Sequence, residues 1–243
     1  MDEVFVQQLL IVMAFTLVAG MAMPLGAALA SVERIRPRWL EDEFRHSVIA
    51  FGGGALLAAV ALVLVPEAIE SLSPGAAALW FCAGGAAFMG LDILLYRMKT
   101  SASQLAAMLA DFVPESLALG AAFALGGEGA MLLAGLMALQ NLPEGFNAYR
   151  ELNSSTAYSR SRIILMFTGM ALLGPVAGVS GYLWLADYPS LVAAIMLFAA
   201  GGILYSVFQD IAPQAKLDKH WAPSFGALLG FVLGIVGHMF TVA

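Results

Sequence analysis

Cysteine is almost absent from this chain and charge is scarce. Its 243 residues include one Cys and three His, and 12% of them are Asp, Glu, Lys or Arg. A single cysteine excludes an internal disulfide, and Cys82 reads as a small buried apolar residue. A soluble domain carries about twice this share of charge. With 61% hydrophobic residues and a mean hydropathy of +0.87, the composition is that of an integral membrane protein. No charge-rich or Ser/Pro-rich stretch is long enough for a separate soluble domain, so residues 1–243 read as one domain. The net charge of −6 argues against a nucleic-acid partner, and no nucleotide-binding motif appears, which argues against ATP as a direct energy source.

Basic residues are missing from three long stretches, 46–96, 100–149 and 163–215. Each stretch holds two helices of ~20 residues and a turn. The eleven Lys and Arg fall in four clusters, Arg34–Arg45, Arg97–Lys99, Arg150–Arg162 and Lys216–Lys219, and each flank holds one further helix. The expected fold class is therefore an all-α polytopic membrane protein with eight transmembrane helices. They are Val4–Ala30, Ser47–Glu70, Ala76–Met98, Ser103–Leu125, Ala130–Leu152, Ile163–Ala186, Ser190–Ile211 and Ala222–Val242. Every basic cluster lies on one face. The positive-inside rule makes that face cytoplasmic and both termini extracytoplasmic, in a cell (inner) membrane. The first segment lacks the basic start of a signal peptide, so no cleavage is expected.

The acids divide into two sets. Asp2, Glu3, Glu67, Glu70, Glu128 and Asp187 fall on the outer face, which carries no basic residue. Asp111, Glu115 and Glu144 fall inside the apolar stretch 100–149, which contains no Lys or Arg. Three acids at mid-membrane cost roughly 7–10 kcal/mol on insertion scales. Protons or a bound cation must supply the missing charge. Asp111 and Glu115 are four residues apart, as are Gln140 and Glu144, so each pair shares a helix face. A short outer turn around 126–129 makes the two helices antiparallel neighbours. Their four side chains then form an oxygen-lined cage suited to a divalent cation. Glu67 and Glu70 fit the outer mouth of a path, and Asp92, Gln209 and Asp210 its inner exit. His46, His220 and His238 sit near segment ends and read as interfacial.

Proline–acid pairs recur at Pro66–Glu67, Pro114–Glu115 and Pro143–Glu144, and Pro213–Gln214 keeps the proline alone. Pro114 should free the carbonyl of Ala110, and Pro143 that of Leu139. The second and seventh segments look like counterparts of opposite direction, which suggests a 3+2+3 inverted-repeat arrangement. Glycines at 52–54, 84–85, 201–202 and in the series Gly226, Gly230, Gly234 allow close helix approach. Most are expected to pack within the chain, with a homodimer contact on the eighth segment as a second use. The thirteen Met read as adaptable packing residues.

On these residues the chain resembles the ZIP family of metal-ion transporters. The resemblance rests on D-F-V-P-E-S from Asp111 and Q-N-L-P-E-G from Gln140, with further similarity in G-G-G-A-L-L-A-A-V-A-L-V-L-V-P-E-A and G-G-I-L-Y-S-V-F-Q-D-I-A-P. It implies eight spans, outer termini, alternating access with spans 1, 4, 5 and 6 moving against the rest, and a metal site on spans 4 and 5. Asp111 and Gln140 stand where the family usually has His. Phe112, Asn141 and Gly174 stand where it has ligands of a second metal. The resemblance therefore implies one metal, held by Asp111, Glu115, Gln140 and Glu144. All-oxygen ligands favour Mn2+, with Fe2+ or Zn2+ as other substrates. The alternatives are a non-transporting membrane cation sensor and an intramembrane aspartyl protease using Asp92 and Asp111. The protease leaves Glu115 and Glu144 without a role.

Overall fold

The computed structural model describes residues 3–32, 38–98, 102–124, 129–185, 187–218 and 220–241. Among them there is no strand. The helices are α1 Glu3–Val32, α2 Arg38–Ala59, α3 Val65–Ile69, α4 Pro74–Met98, α5 Ala102–Ala124, α6 Ala130–Ser155, α7 Arg160–Ala171, α8 Leu173–Leu185, α9 Pro189–Ser206, α10 Ala212–Ala215 and α11 Ala222–Thr241. Three pairs are continuous rods with an internal fault, so the described chain forms eight rods. Pro175 has no N–H for the carbonyl of Ala171, which accounts for the break between α7 and α8 at Leu172. The second rod starts at Arg38, well before the expected Ser47, because E-D-E-F-R-H continues the helix towards the basic end. The expected turn at 126–129 and the acids Asp2 and Glu128 lie wholly or partly outside the described residues.

The other two faults are π-turns. Val60–Leu64 joins α2 to α3 and Val207–Ile211 joins α9 to α10. In the first, the Val65 N–H donates to the Val60 carbonyl, and in the second the Ala212 N–H donates to the Val207 carbonyl. The next residue is proline each time, Pro66 or Pro213, which has no N–H to continue the ladder. A widened turn absorbs that gap. The two turns thus stand at the same offset from their prolines.

Six rods are long and apolar enough to cross a membrane among the described residues: Glu3–Val32, Asp42–Ile69, Pro74–Arg97, Arg160–Leu185, Pro189–Ala215 and Ala222–Thr241. α5 and α6 fall outside that set, although eight such helices were expected. Acids and amides dilute their apolar content, and neighbouring helices shield them. α5 is flanked by α1, α4, α6, α8 and α9, and α6 by α1, α2, α5, α7 and α11. The outer rods α4 and α11 instead present Leu79, Met89, Leu94, Phe225, Leu229 and Phe240 outward. Cys82 lies on this exterior too, so the expectation of a buried cysteine is corrected. α4 keeps only a narrow strip against the bundle, and Cys82 is not on it.

In lipid, close van der Waals packing holds helices together, and small residues permit it. Four pairings dominate: α1 with α6, α5 with α8, α2 with α11 and α4 with α9. Each is seated on glycine. Gly26 meets the backbone of Leu142 and Phe146, Gly145 that of Met23, and Gly120 and Gly181 interlock with Gly178 and Leu117. Gly54 meets Ala227 and Phe231, while Gly201 meets Phe81 and Gly85. Gly54 and Gly201 both stand six residues before the start of their π-turns. Gly226 and Gly230 face Ser47 and Phe51 on α2, and Gly234 faces Ala58. The glycine series of α11 is therefore spent inside the chain, as expected for most of these glycines.

Candidate functional site

α5 and α6 bring acids to the middle of the bundle because each places a polar residue every turn on the face turned from α8 and α1. A cavity of about 650 Å³ lies beside them. Its polar lining includes Asp92 from α4, Asp111 from α5, Gln140, Glu144 and Asn147 from α6, and Tyr205, Ser206, Gln209, Asp210 and Gln214 from the α9–α10 rod. The cavity reaches the surface beside the exposed Tyr96 and Gln214, at the end of the bundle that also carries Arg97 and Lys216. Ala110, whose carbonyl Pro114 leaves without a donor, lies on its wall. That is where an irregular helix is tolerated in a membrane.

Four carboxylates line this space, and among the described residues no Lys, Arg or His is in the lining. The acids are close enough to repel one another: Asp111 interacts with Glu144, Asp210 and Asp92, and Glu115 with Asp111 and Glu144. The Tyr205 hydroxyl donates to Asp92 Oδ2 at 3.1 Å and fixes that carboxylate on the wall.

Glu115 is placed differently from the other three expected ligands. It is 1% exposed and lies one turn deeper than Asp111, behind Gln140. The Gln140 amide Nε2 donates to both of its oxygens, at 2.8 and 2.7 Å. This fixes the amide and leaves Gln140 Oε1, which is buried, without a hydrogen-bond partner; Asp111 Oδ1 is likewise buried and unpartnered. Unsatisfied buried oxygens each cost about 1–3 kcal/mol. The structure thus brings Asp111, Gln140 and Glu144 to one cavity wall and holds Glu115 behind them. Among the described residues, no three His, Cys, Asp or Glu side chains are gathered tightly enough to hold a metal jointly as they stand.

Beyond Glu115 the packing is apolar. Leu119, Leu133, Leu136 and Met137 are almost fully buried there and form an apolar layer. At the far end Glu67 is half-buried, with Oε1 against Gly129, the residue before α6. Glu70 ends α3 and is exposed. Neither lines the cavity, whereas Asp92, Gln209 and Asp210 all do. His46 Nδ1 pairs with the Asp42 carbonyl at 2.5 Å, about two turns into the second rod and not at its end, and His220 Nδ1 lies 3.3 Å from Glu43, just before α11.

Phe112 and Asn141 face the other way, towards α1. The Phe112 ring is 1% exposed, and its tip fills the space beside Gly20 and Gly174. A Cβ added at Gly174 would come within 2.7 Å of its Cζ. Asn141 donates through Nδ2 to the Ala19 carbonyl at 2.9 Å and braces α6 on α1. Asn147, Tyr205 and Ser206 were not singled out from the sequence, and Gln214 only as the acid-free member of the proline–acid series. Asn147 was accessible through its spacing of three from Glu144. Nothing in the sequence links Tyr205 to Asp92, because their contact crosses from α9 to α4.

By the length and composition of its six qualifying helices, this is an all-helical, multi-pass membrane protein. No protein-family model matches the chain, and no curated protein matches it.

Proposed function

We propose that the chain is a secondary transporter carrying a divalent cation of the Mn, Fe or Zn class across a cell membrane into the cytoplasm, as its resemblance to the ZIP family implies. The observation that carries this reading is the cavity lined by four carboxylates, with no basic side chain in the lining among the described residues. Asp111, Gln140 Oε1 and Glu144 are the oxygens from which an entering cation draws its ligands, with water and then Glu115 completing the shell as the Gln140 amide turns. Hard oxygen donors of this kind suit Mn2+. A divalent ion moving towards a negative interior gains about 2.3 kcal/mol per charge for each 100 mV, so no nucleotide is needed.

We read the architecture as eight spans in a 3+2+3 inverted repeat with both termini outside. The matched π-turns support it, as do the helix pairings. Turning the first three rods onto the last three exchanges α1–α6 with the pairing of α5 and α8, and α2–α11 with the pairing of α4 and α9. The cavity then opens to the cytoplasm, and the layer around Leu133 and Met137 closes the outer side.

The test is uptake of Mn2+ and Zn2+ into proteoliposomes. The wild-type chain is expected to exceed empty vesicles, and the Glu115→Ala/Glu144→Ala variant is expected to fall to their level. Equal uptake by the variant and the wild type would falsify the site assignment. Gln140→His supplies an imidazole nitrogen, a better ligand for zinc than an amide oxygen. Its ratio of zinc to manganese uptake, read by competition between the two ions, is expected to rise on the order of tenfold, the factor that ~1.4 kcal/mol carries.

A further inference from the structure

We propose that Glu67 is the latch of the closed mouth, that the π-turn Val60–Leu64 with Pro66 is the hinge that carries it, and that Gln214 is its unlatched twin beside the open mouth.

The latch joins the short helix α3 to the start of α6. The α2 part of the same rod already packs on α6, whereas α3, beyond the π-turn, packs on α9. The Glu67 carboxylate is the side chain that α3 sets against Gly129, where α6 begins. Gly129 supplies no side-chain cap to α6, a helix of 26 residues. The first N–H groups of a helix have no partner inside it, and its N-terminus carries partial positive charge. A carboxylate from another rod, set beside Gly129, complements that charge. A side chain at position 129 would collide with Glu67 Oε1, so the bare glycine is what lets the acid seat.

The hinge follows from the backbone. α3 is only five residues long and hangs from a turn whose Val65–Val60 hydrogen bond spans five residues, next to a proline without a donor. Bending there sacrifices fewer regular hydrogen bonds than bending elsewhere in the rod. At the other end of the molecule the turn Val207–Ile211 carries α10 at the same offset, and the residue matched to Glu67 is Gln214. Gln214 is exposed and lines the open cavity. One mouth is latched while its counterpart stands free.

The inference rests on the two-mouthed transporter proposed above, so the experiment reads the latch without needing flux. Two reporters are made in a Cys82→Ala background: Ala122→Cys, behind the closed mouth, and Ser206→Cys, on the cavity wall. Each is labelled with a charged maleimide in nanodiscs, where both faces are accessible. Glu67→Ala is expected to speed labelling at Ala122→Cys at least tenfold and to slow it at Ser206→Cys at least threefold. Loss of the fold would speed both, so a rise at both sites overturns the proposal, as does unchanged labelling at either. In a second arm, Glu67→Cys/Gly129→Cys is joined by a short bifunctional thiosulfonate. The joined protein, made without the Ser206→Cys reporter, is expected to lose at least nine-tenths of its Mn2+ uptake until reduced. Undiminished uptake while joined overturns the latch. Absence of uptake by the wild type ends the transport reading and leaves the labelling result to decide the latch.

Discussion

Leucine in place of Gly26 or Gly145 is expected to prevent stable assembly of the protein. The two glycines face each other's helices at the α1–α6 contact, with Gly26 on the Leu142 carbonyl and Gly145 on the Met23 carbonyl. The added Cβ at either position falls on backbone, which has no rotamer to escape into. Ordinary overpacking costs about 1–3 kcal/mol because side chains yield. Here two helix axes must separate, and Asn141 must release the Ala19 carbonyl. A loss above ~4 kcal/mol is expected, in the range reserved for outright disruption. Thermal unfolding in detergent checks it, with Gly75→Ala as the control. Nothing lies within 4 Å of that Cβ, so the control should stay within ~0.5 kcal/mol of the parent. A Gly26→Leu protein melting with the parent would remove the helix contact as a determinant of the fold.

Alanine at Asp111 or at Glu144 is expected to weaken Mn2+ binding at least a hundredfold. Both carboxylates line the cavity, and both face other acids, with no basic side chain in the lining among the described residues. Removing one partner of a buried ionic contact costs about 3–5 kcal/mol, and ~2.8 kcal/mol is already a factor of a hundred in Kd. Glu115→Ala differs in kind. It strips the Gln140 amide of both its acceptors and should also lower stability by about 1–3 kcal/mol. Glu70→Gln, exposed at the far end, should bind within twofold of the wild type. Isothermal titration with Mn2+ of the four variants separates these outcomes. Equal affinity for Asp111→Ala and Glu70→Gln would detach the cation from the cavity.

The sequence placed the rods well. Seven of the eight starts fall within a few residues of those expected, because basic clusters and turn residues bound the apolar runs on both sides. It also grouped Asp111, Gln140 and Glu144, since helical spacing puts residues four apart on one face. It did not separate Glu115 from Asp111. Their shared face is wide enough for one to look into the cavity and the other into the α5–α6 seam, and only the position of Gln140 decides between them. The π-turns were legible merely as prolines: Pro66 and Pro213 announce a lost hydrogen bond but not whether the helix kinks or widens. Cys82 was misjudged because residue type predicts burial in water, whereas on α4 the surrounding lipid is as apolar as the core.

The two π-turns share their offset from proline but not their side chains. Leu62 and Val63 occupy the positions that Gln209 and Asp210 occupy in the other turn. Under the inverted repeat proposed above, these unlike turns are one place where the two orientations of the molecule differ in energy. Water wets an amide and a carboxylate on one side and is shed by two aliphatic groups on the other. Exchanging the pairs is expected to shift the resting bias of the molecule.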